Sequence, residues 1–406
     1  MGSCCSQRVP PIAHGRDVDL SGCAPRCRYL TGVSRLIPRT GRLAVAFVAT
    51  AALAASCSSS DNADQGVVTT VPSIVSTTAS TVPPTIATTS TTAKITTTTS
   101  TTTTTAPPLG PYALTGLEAD DMHRQLRPAL AVKIDNVEAA RPQAGLVEAD
   151  VVFEEIVEGG LTRLLAIFHS RDAGVIGPVR SARSTDVPLL TPLREPLFAW
   201  SGANGAFAAL IRSVAIRDVG FEIAPAEYER ADDRSAPSDL MTTSDGLYAL
   251  VDVEGDHAPN ELFDFLPAGE VRDGGRDVNG VEVAYGATTV RHEWDNDAGG
   301  WARTQNDTPH VDAEGDVIAP ENVIVQFVNY RNSGLVDSSG AVVPEADLEG
   351  QGVAWFFVDG QLVEGKWVKA NVTATSAYAD SDGNTMQFSP GRTWVLLARE
   401  GSAELL

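Results

Sequence analysis

Beyond residue 108 the chain is a succession of short apolar runs separated by glycine, asparagine and proline breaks, and the runs have the length of strands rather than of helices. Pro128 leads into the run 129–134, which Asp135-Asn136 ends, so a buried strand and its turn are predicted there. Residues 149–156 predict a second strand and 161–169 a third, and the Gly159-Gly160 break between them gives the pair the form of a hairpin. Residues 174–180 predict a short extended piece. Ser184 or Thr185 then stands where a helix cap is expected, with the helix running to about residue 193. A strand at 197–200, a Gly/Asn turn at 201–205, a small helix at 206–213 and a capped helix from Ser244 complete the first part.

The texture changes after 252–276, a stretch rich in Gly, Asp and Pro that reads as a boundary. The run 281–285 alternates as a strand with one wet face does, whereas 323–328 and 353–358 are fuller runs. Asp359-Gly360 predicts a tight turn into 361–363, and 393–397 predicts a closing strand. Trp294, Trp301, Trp355, Trp367 and Trp394 all fall in this half, which predicts an aromatic core. The expected fold class is α+β, with a mixed α/β domain at 109–253 and a β-rich domain at 277–406 that folds as a unit of its own.

The residues before 109 are of two other kinds. Residues 1–56 hold seven arginines against Asp17 and Asp19, net +5, while the part from 109 onward has 22 basic and 48 acidic residues, net −26. A part so acidic repels nucleic acid, and none is expected as a partner. All five cysteines lie at or before Cys57, so the folded part has no thiols for a disulfide or a thiolate metal site. Arg35, Arg39 and Arg42 precede a short apolar run at 43–49 and then small residues up to Ser56. That is the form of a secretory signal peptide, too short for a spanning helix. Cys57 directly follows Ala-Ser and resembles the lipobox of bacterial lipoproteins, with Ala54 where leucine is usual. The likeness implies a diacylated Cys57 as the first residue of the mature chain. Residues 1–32 do not fit such a signal, so 1–56 reads as a spurious extension, with translation starting at Val33, plus the signal peptide. Between 67 and 108 threonine makes up about half of the residues and Lys94 is the only charge. Residues 57–108 are therefore expected to be a disordered Thr/Ser/Pro-rich tether. A coil of about 50 residues spans roughly 40 Å and reaches about 160 Å when stretched. The expected location is the cell membrane, lipid-anchored on its extracytoplasmic face.

The segments PALAVKIDN at 128–136, RPQAGL at 141–146, ADVVFEE at 149–155, Thr162-Arg163 and GPVRSAR at 177–183 resemble the YerB-like family of bacterial lipoproteins. The likeness continues through PHVD at 309–312, NVIV at 322–325 and GKWVK at 365–369, and so covers nearly all of 109–400. It implies a two-part extracytoplasmic lipoprotein and no particular activity. The chain departs from the family at Ser238-Asp239, where the resemblance leads one to expect His-Asn, so no role for a histidine there carries over.

No Gly-x-Ser-x-Gly elbow, Walker loop or His-Glu-x-x-His motif is present, and no cofactor is expected. Nor is a metal. His310 and Asp312 can put two ligands on one strand face, but a histidine entering a turn beside a solvated aspartate is the simpler account. Glu154, Glu155 and Glu158 are candidates for acid/base work on a glycan or for ion pairing, with Glu154 and Glu158 on one face of the strand and Glu155 on the other. Arg163, on the next strand, is placed to pair with one of them. Arg180 and Arg183 carry the stronger signal. An arginine fork grips phosphate or carboxylate with two bonds, and a helix starting just after would add amide donors. Arg180, Arg183, Ser184 and Arg163 thus make a candidate anion site, the alternative being that the arginines are salt-bridged to the glutamates. The function expected is a binding or scaffolding module for a cell-wall component or an envelope protein. The rival is an enzyme that acts on an anionic envelope glycan or a lipid-linked phosphate through Arg180 and Arg183.

Overall fold

The run 129–134 becomes β1 (Leu130–Asp135), and every one of its residues is buried. The same holds for β2 (Val151–Ile156) and β3 (Thr162–Phe168). Strands buried along their whole length belong to a sheet covered on both faces. The computed structural model of the chain describes residues 109–406, apart from 204, 253–256, 273, 338 and 339. The signal segment, Cys57 and the Thr-rich tether lie outside the described residues.

Around those strands the first part holds α1 (Met122–Leu126), α2 (Asp186–Leu190), β4 (Leu197–Ala199), α3 (Gly205–Arg212), β5 (Arg217–Asp218), β6 (Tyr228–Arg230), β7 (Leu240–Thr242) and α4 (Ser244–Tyr248). Two-residue strands β8 (Asp264–Phe265) and β9 (Arg276–Asp277) follow, then β10 (Gly280–Ala284), β11 (Thr289–Asp295), β12 (Gly300–Gln305) and β13 (Thr308–Pro309). The chain continues through β14 (Asn322–Phe327), the hairpin β15 (Tyr330–Val336) and β16 (Val342–Ala346), β17 (Gly350–Val358), β18 (Gln361–Lys369) and β19 (Ala377–Asp380). It ends with β20 (Gln387–Phe388), β21 (Thr393–Ala398) and β22 (Ala403–Leu405). Asp359 and Gly360, both at positive φ, close the β17–β18 hairpin as expected.

The fold is strand-rich α+β. An eleven-stranded mixed sheet runs β19-β18-β17-β14-β21-β2-β3-β1-β4-β5, with β9 added on β18, and a five-stranded sheet runs β13-β12-β11-β10-β22. One face of the large sheet, with Val152, Leu164, Val325 and Trp394, packs against Val281, Val283 and Trp301 of the five-stranded sheet. The opposite face, with Val151, Phe153, Leu165 and Leu397, is covered by Val187, Leu190 and Ile211 from α2 and α3. Each large apolar side chain buried in this way contributes roughly 1.5–3 kcal/mol.

Two expectations change. The helix predicted to reach 193 ends at Leu190 and passes into a 3-10 turn, Thr191–Leu193, that carries Pro192. The 277–406 part is not a sheet of its own. Its strand β21 lies between β14 and β2 and is parallel to both, so that Trp394 is in register with Val323 on one side and Val152 on the other. Separating the parts at 252–276 would open the edges of β2 and β21, a row of unpaired backbone groups in mid-sheet.

Candidate functional site

Arg180 lies at the end of the extended segment expected at 174–180. Gly177 there has φ 150, and a Cβ on it would stand 2.9 Å from the Leu240 carbonyl, so glycine lets the segment pass between β1 and β7. The Val179 N–H donates to the Leu240 carbonyl at 2.6 Å, and the Arg180 N–H to the Lys133 carbonyl at 2.8 Å. The Arg180 carbonyl in turn accepts from the Ser201 N–H at 2.9 Å. Arg163 is on β3, in register with Asp135 on one side and Glu155 on the other. Arg183 stands just ahead of α2, and Arg230 ends β6.

These four arginines line one cleft of about 430 Å3, together with Ser181 and Ser201. Their carboxylate partners stand behind them, since Asp135, Glu158 and Asp239 are absent from the lining. Arg180 Nε donates to Asp135 Oδ2 at 3.0 Å, and Arg163 Nε is 3.8 Å from Asp135 Oδ1. Arg183 Nη2 donates to Glu158 Oε2 at 2.7 Å, and Arg230 Nη1 to Asp239 Oδ1 at 2.6 Å. Ser238 Oγ also donates to Asp135 Oδ2, at 2.8 Å. Of the two residues that depart from the family pattern, Asp239 thus pairs with a cation of this cleft, and Ser238 holds the carboxylate that pairs with Arg180.

Arg163 and Arg183 are only 7% and 5% exposed, and the Nε of each is buried without a hydrogen-bond partner. Burial, and then the neighbouring charge of Arg183, pushes the Arg163 guanidinium down to about 10. An anion entering the cleft would relieve both conditions.

The other candidates go elsewhere. Ser184 is buried and borders a separate depression with Val187, Leu210 and Arg331. Amides at the start of the helix are engaged too, since the Asp186 N–H donates to the Arg183 carbonyl at 3.1 Å and the Val187 N–H to the Ser184 carbonyl at 3.2 Å. Glu155 pairs with Lys133, not with Arg163, and the same Lys133 Nζ donates to Asp186 Oδ1 at 2.6 Å. Burial, opposed by Lys133, raises the Glu155 carboxyl. Glu158 does not share a face with Glu154. The strand ends at Ile156, Gly159 takes φ 73, and the turn delivers Glu158 to Arg183.

Glu154 belongs to a second polar group, between the two sheets. Arg303 Nη2 donates to Glu154 Oε1 and Oε2 at 2.9 Å each, and Trp394 Nε1 donates to Oε2 at 3.1 Å. Arg303 Nη1 lies 2.6 Å from His310 Nδ1, which therefore accepts, so the proton sits on Nε2 and is donated to Gln143 Oε1 at 2.8 Å. Both ring nitrogens of His310 are thus engaged by protein. Asp312 is buried rather than solvated, and its Oδ1 accepts the N–H groups of Glu314 and Asp316. Arg303 was not among the sequence candidates. Its one signal was alternation, since Trp301, Arg303 and Gln305 fall on the same face of β12.

Residues 114–257 match the N-terminal domain, and residues 281–395 the C-terminal domain, of the family described as protein of unknown function (DUF3048). The chain is 29% identical over 289 residues to "Putative lipoprotein YerB" of Bacillus subtilis (strain 168), covering 70% of this chain and 84% of that protein. It is also similar to the crystal structure of the YerB protein from Bacillus subtilis, with TM-score 0.64 and 26% identity, over 73% of this chain and 99% of that one. With both of the family's domains matched in order and the fold shared along the relative's length, the chain belongs to the two-part, YerB-like DUF3048 family.

Proposed function

We propose that this chain is an extracytoplasmic lipoprotein, anchored through Cys57, that binds an anionic component of the cell envelope in the arginine-lined cleft. The observation that supports the cleft reading is the pair Arg163 and Arg183, buried guanidiniums on the cleft wall whose Nε groups have no hydrogen-bond partner. With a net charge of −26 from residue 109 onward, the folded part repels anions in general, so binding has to be local and specific. The enzyme reading has less support. Glu154 and Glu155 are buried away from the cleft, and Glu158 is held by Arg183.

Inorganic phosphate, pyrophosphate or a sugar phosphate is expected to raise the melting temperature of the wild-type protein. A ligand at about 100 times its dissociation constant adds roughly 2.7 kcal/mol, which a thermal-shift assay reads easily. The rise is expected to vanish in Arg180→Ala combined with Arg230→Ala, whose side chains are 24% and 56% exposed at the rim. Arg276→Ala, an exposed arginine elsewhere, should keep it. If none of these anions shifts the wild type, the cleft reading fails.

The anchor has its own test. Intact mass of membrane-extracted protein should correspond to a chain that begins at acylated Cys57, and Cys57→Ala should move the protein to the soluble fraction. A single acyl chain binds membranes only marginally, so the complete lipoprotein modification is expected. Peptides from residues 1–32 in the mature protein, or a Cys57→Ala variant that stays in the membrane, would refute this reading.

A further inference from the structure

Among the described residues that line the cleft, Asp337 is the one carboxylate. It comes from the other part of the chain, directly after β15. The β15–β16 hairpin forms a two-stranded sheet of its own and packs against the Glu158–Gly160 turn, which supplies the partner of Arg183. At its base the Ala346 N–H donates to Thr185 Oγ1 at 3.1 Å. Near its tip the Ala341 N–H donates to Asp337 Oδ1 at 2.9 Å, which orients the carboxylate. The cleft therefore has cationic walls from the first part and one acidic residue presented by the second.

Resting on the reading that the cleft binds an anion, we infer that its ligand is a phosphorylated sugar or polyol, with the phosphate on Arg163, Arg183 and Arg180 and a hydroxyl or ammonium donor on Asp337. Size is the first argument. A cleft of about 430 Å3 lies within the roughly 300–1,000 Å3 of small-molecule sites, so a lone phosphate would leave much of it to water. Charge is the second. Three carboxylates stand behind the four guanidiniums, with Asp135 shared by Arg163 and Arg180, so the site suits one phosphate group rather than a polyanion. Asymmetry is the third. A molecule that is anionic at both ends, such as pyrophosphate, sets one charge against the carboxylate of Asp337, whereas one with hydroxyl or ammonium groups at that end brings donors to it. The Ser181 and Ser201 hydroxyls on the lining suit the same polar, uncharged middle.

The test is calorimetric titration of the full mature chain with inorganic phosphate, pyrophosphate, glucose 1-phosphate and glucosamine 6-phosphate. The sugar phosphates are expected to bind about tenfold or more tighter than inorganic phosphate, because a site built around a donor penalises a ligand that lacks it. Pyrophosphate should bind no tighter than inorganic phosphate. Equal affinity for the two sugars assigns hydroxyls to Asp337, and a preference for glucosamine 6-phosphate assigns the ammonium. Asp337→Ala should bring the sugar phosphates down to the level of inorganic phosphate and leave inorganic phosphate itself bound. Asp337→Asn, which retains an Oδ1 acceptor for Ala341, should strengthen pyrophosphate. If pyrophosphate binds the wild type tightest, or the sugar preference survives both Asp337 variants, this inference is overturned while the anion site stands. If no anion binds at all, both are overturned.

Discussion

Replacing Arg303 with alanine is expected to lower the unfolding free energy by about 3–5 kcal/mol, because it strands a carboxylate in the interior. The side chains of Arg303 and Glu154 are both 0% exposed, and the two groups share two hydrogen bonds of 2.9 Å. Glu154 would keep the Trp394 Nε1 donor at 3.1 Å, the Thr162 hydroxyl at 2.8 Å and the Asn136 amide at 3.3 Å, all of them neutral. His310 would lose the donor to its Nδ1, and Gln305 Oε1 would lose its own. The position also matters for the fold. Arg303 is on β12 of the five-stranded sheet and Glu154 on β2 of the large one, so this pair ties the second part of the chain to the first. Urea denaturation followed by tryptophan fluorescence measures the loss. Arg291→Ala, on the adjacent strand with a partly exposed pair to Glu282, should cost far less than Arg303→Ala. A loss below about 1 kcal/mol in Arg303→Ala would mean that the buried carboxylate finds another partner or takes a proton.

The strands were legible because their evidence is local. The apolar runs at 129–134, 149–156, 161–169, 323–328 and 393–397 correspond to β1, β2, β3, β14 and β21, each within two residues at either end. Their pairing was not legible. Nothing in residues 393–397 says that the strand inserts beside β2, and that insertion is what merges the two parts into one sheet. The arginine cleft was half legible. Arg163, Arg180 and Arg183 were evident from their spacing and surroundings, and they do meet. Arg230 and Asp337 reach the cleft from remote positions through folding, with no local signal to mark them. Charged residues inside apolar runs were misread for a related reason. Alternation along β2 gives the faces of Glu154 and Glu155 correctly, but only the opposing layer decides that their partners are Arg303 and Lys133. Alternation also fails just beyond the strand, where the chain leaves β2 at Ile156 for a 3-10 turn at Glu158–Gly160 and Glu158 pairs with Arg183.

Acidification from about pH 6.5 to 4.5 is expected to lower the stability steeply, and the buried histidines are the cause. Burial, and then the charge of Arg127, lowers His169 to about 4. Burial, and then the charge of Arg303, pushes His292 and His310 well below the usual range. In the unfolded chain these histidines take up protons as the pH falls below about 6.5. The folded chain keeps them neutral in the same range, so the unfolded state binds more protons and the unfolding free energy falls with the pH. Asp150, Glu155 and Glu148 act in the opposite sense. Burial raises all three, so the folded state protonates them before the unfolded state does, which favours folding as the pH drops. The three histidines set the upper limit, a net uptake on unfolding of about three protons or about 4 kcal/mol per pH unit, and each carboxylate that takes its proton in the folded state lowers the slope by up to about 1.4 kcal/mol per unit. Urea denaturation at pH 8, 7, 6 and 5 gives the slope. His169→Gln, whatever it costs at pH 8, should flatten that slope by about one proton. Arg303→Ala should flatten it too, since removing the cation lets His292 and His310 protonate more readily in the folded state. A wild-type stability that stays level or rises between pH 7 and 5 would show that protonation of buried carboxylates outweighs the histidines, and the assignment of neutral His292 and His310 to the folded core would fall with it.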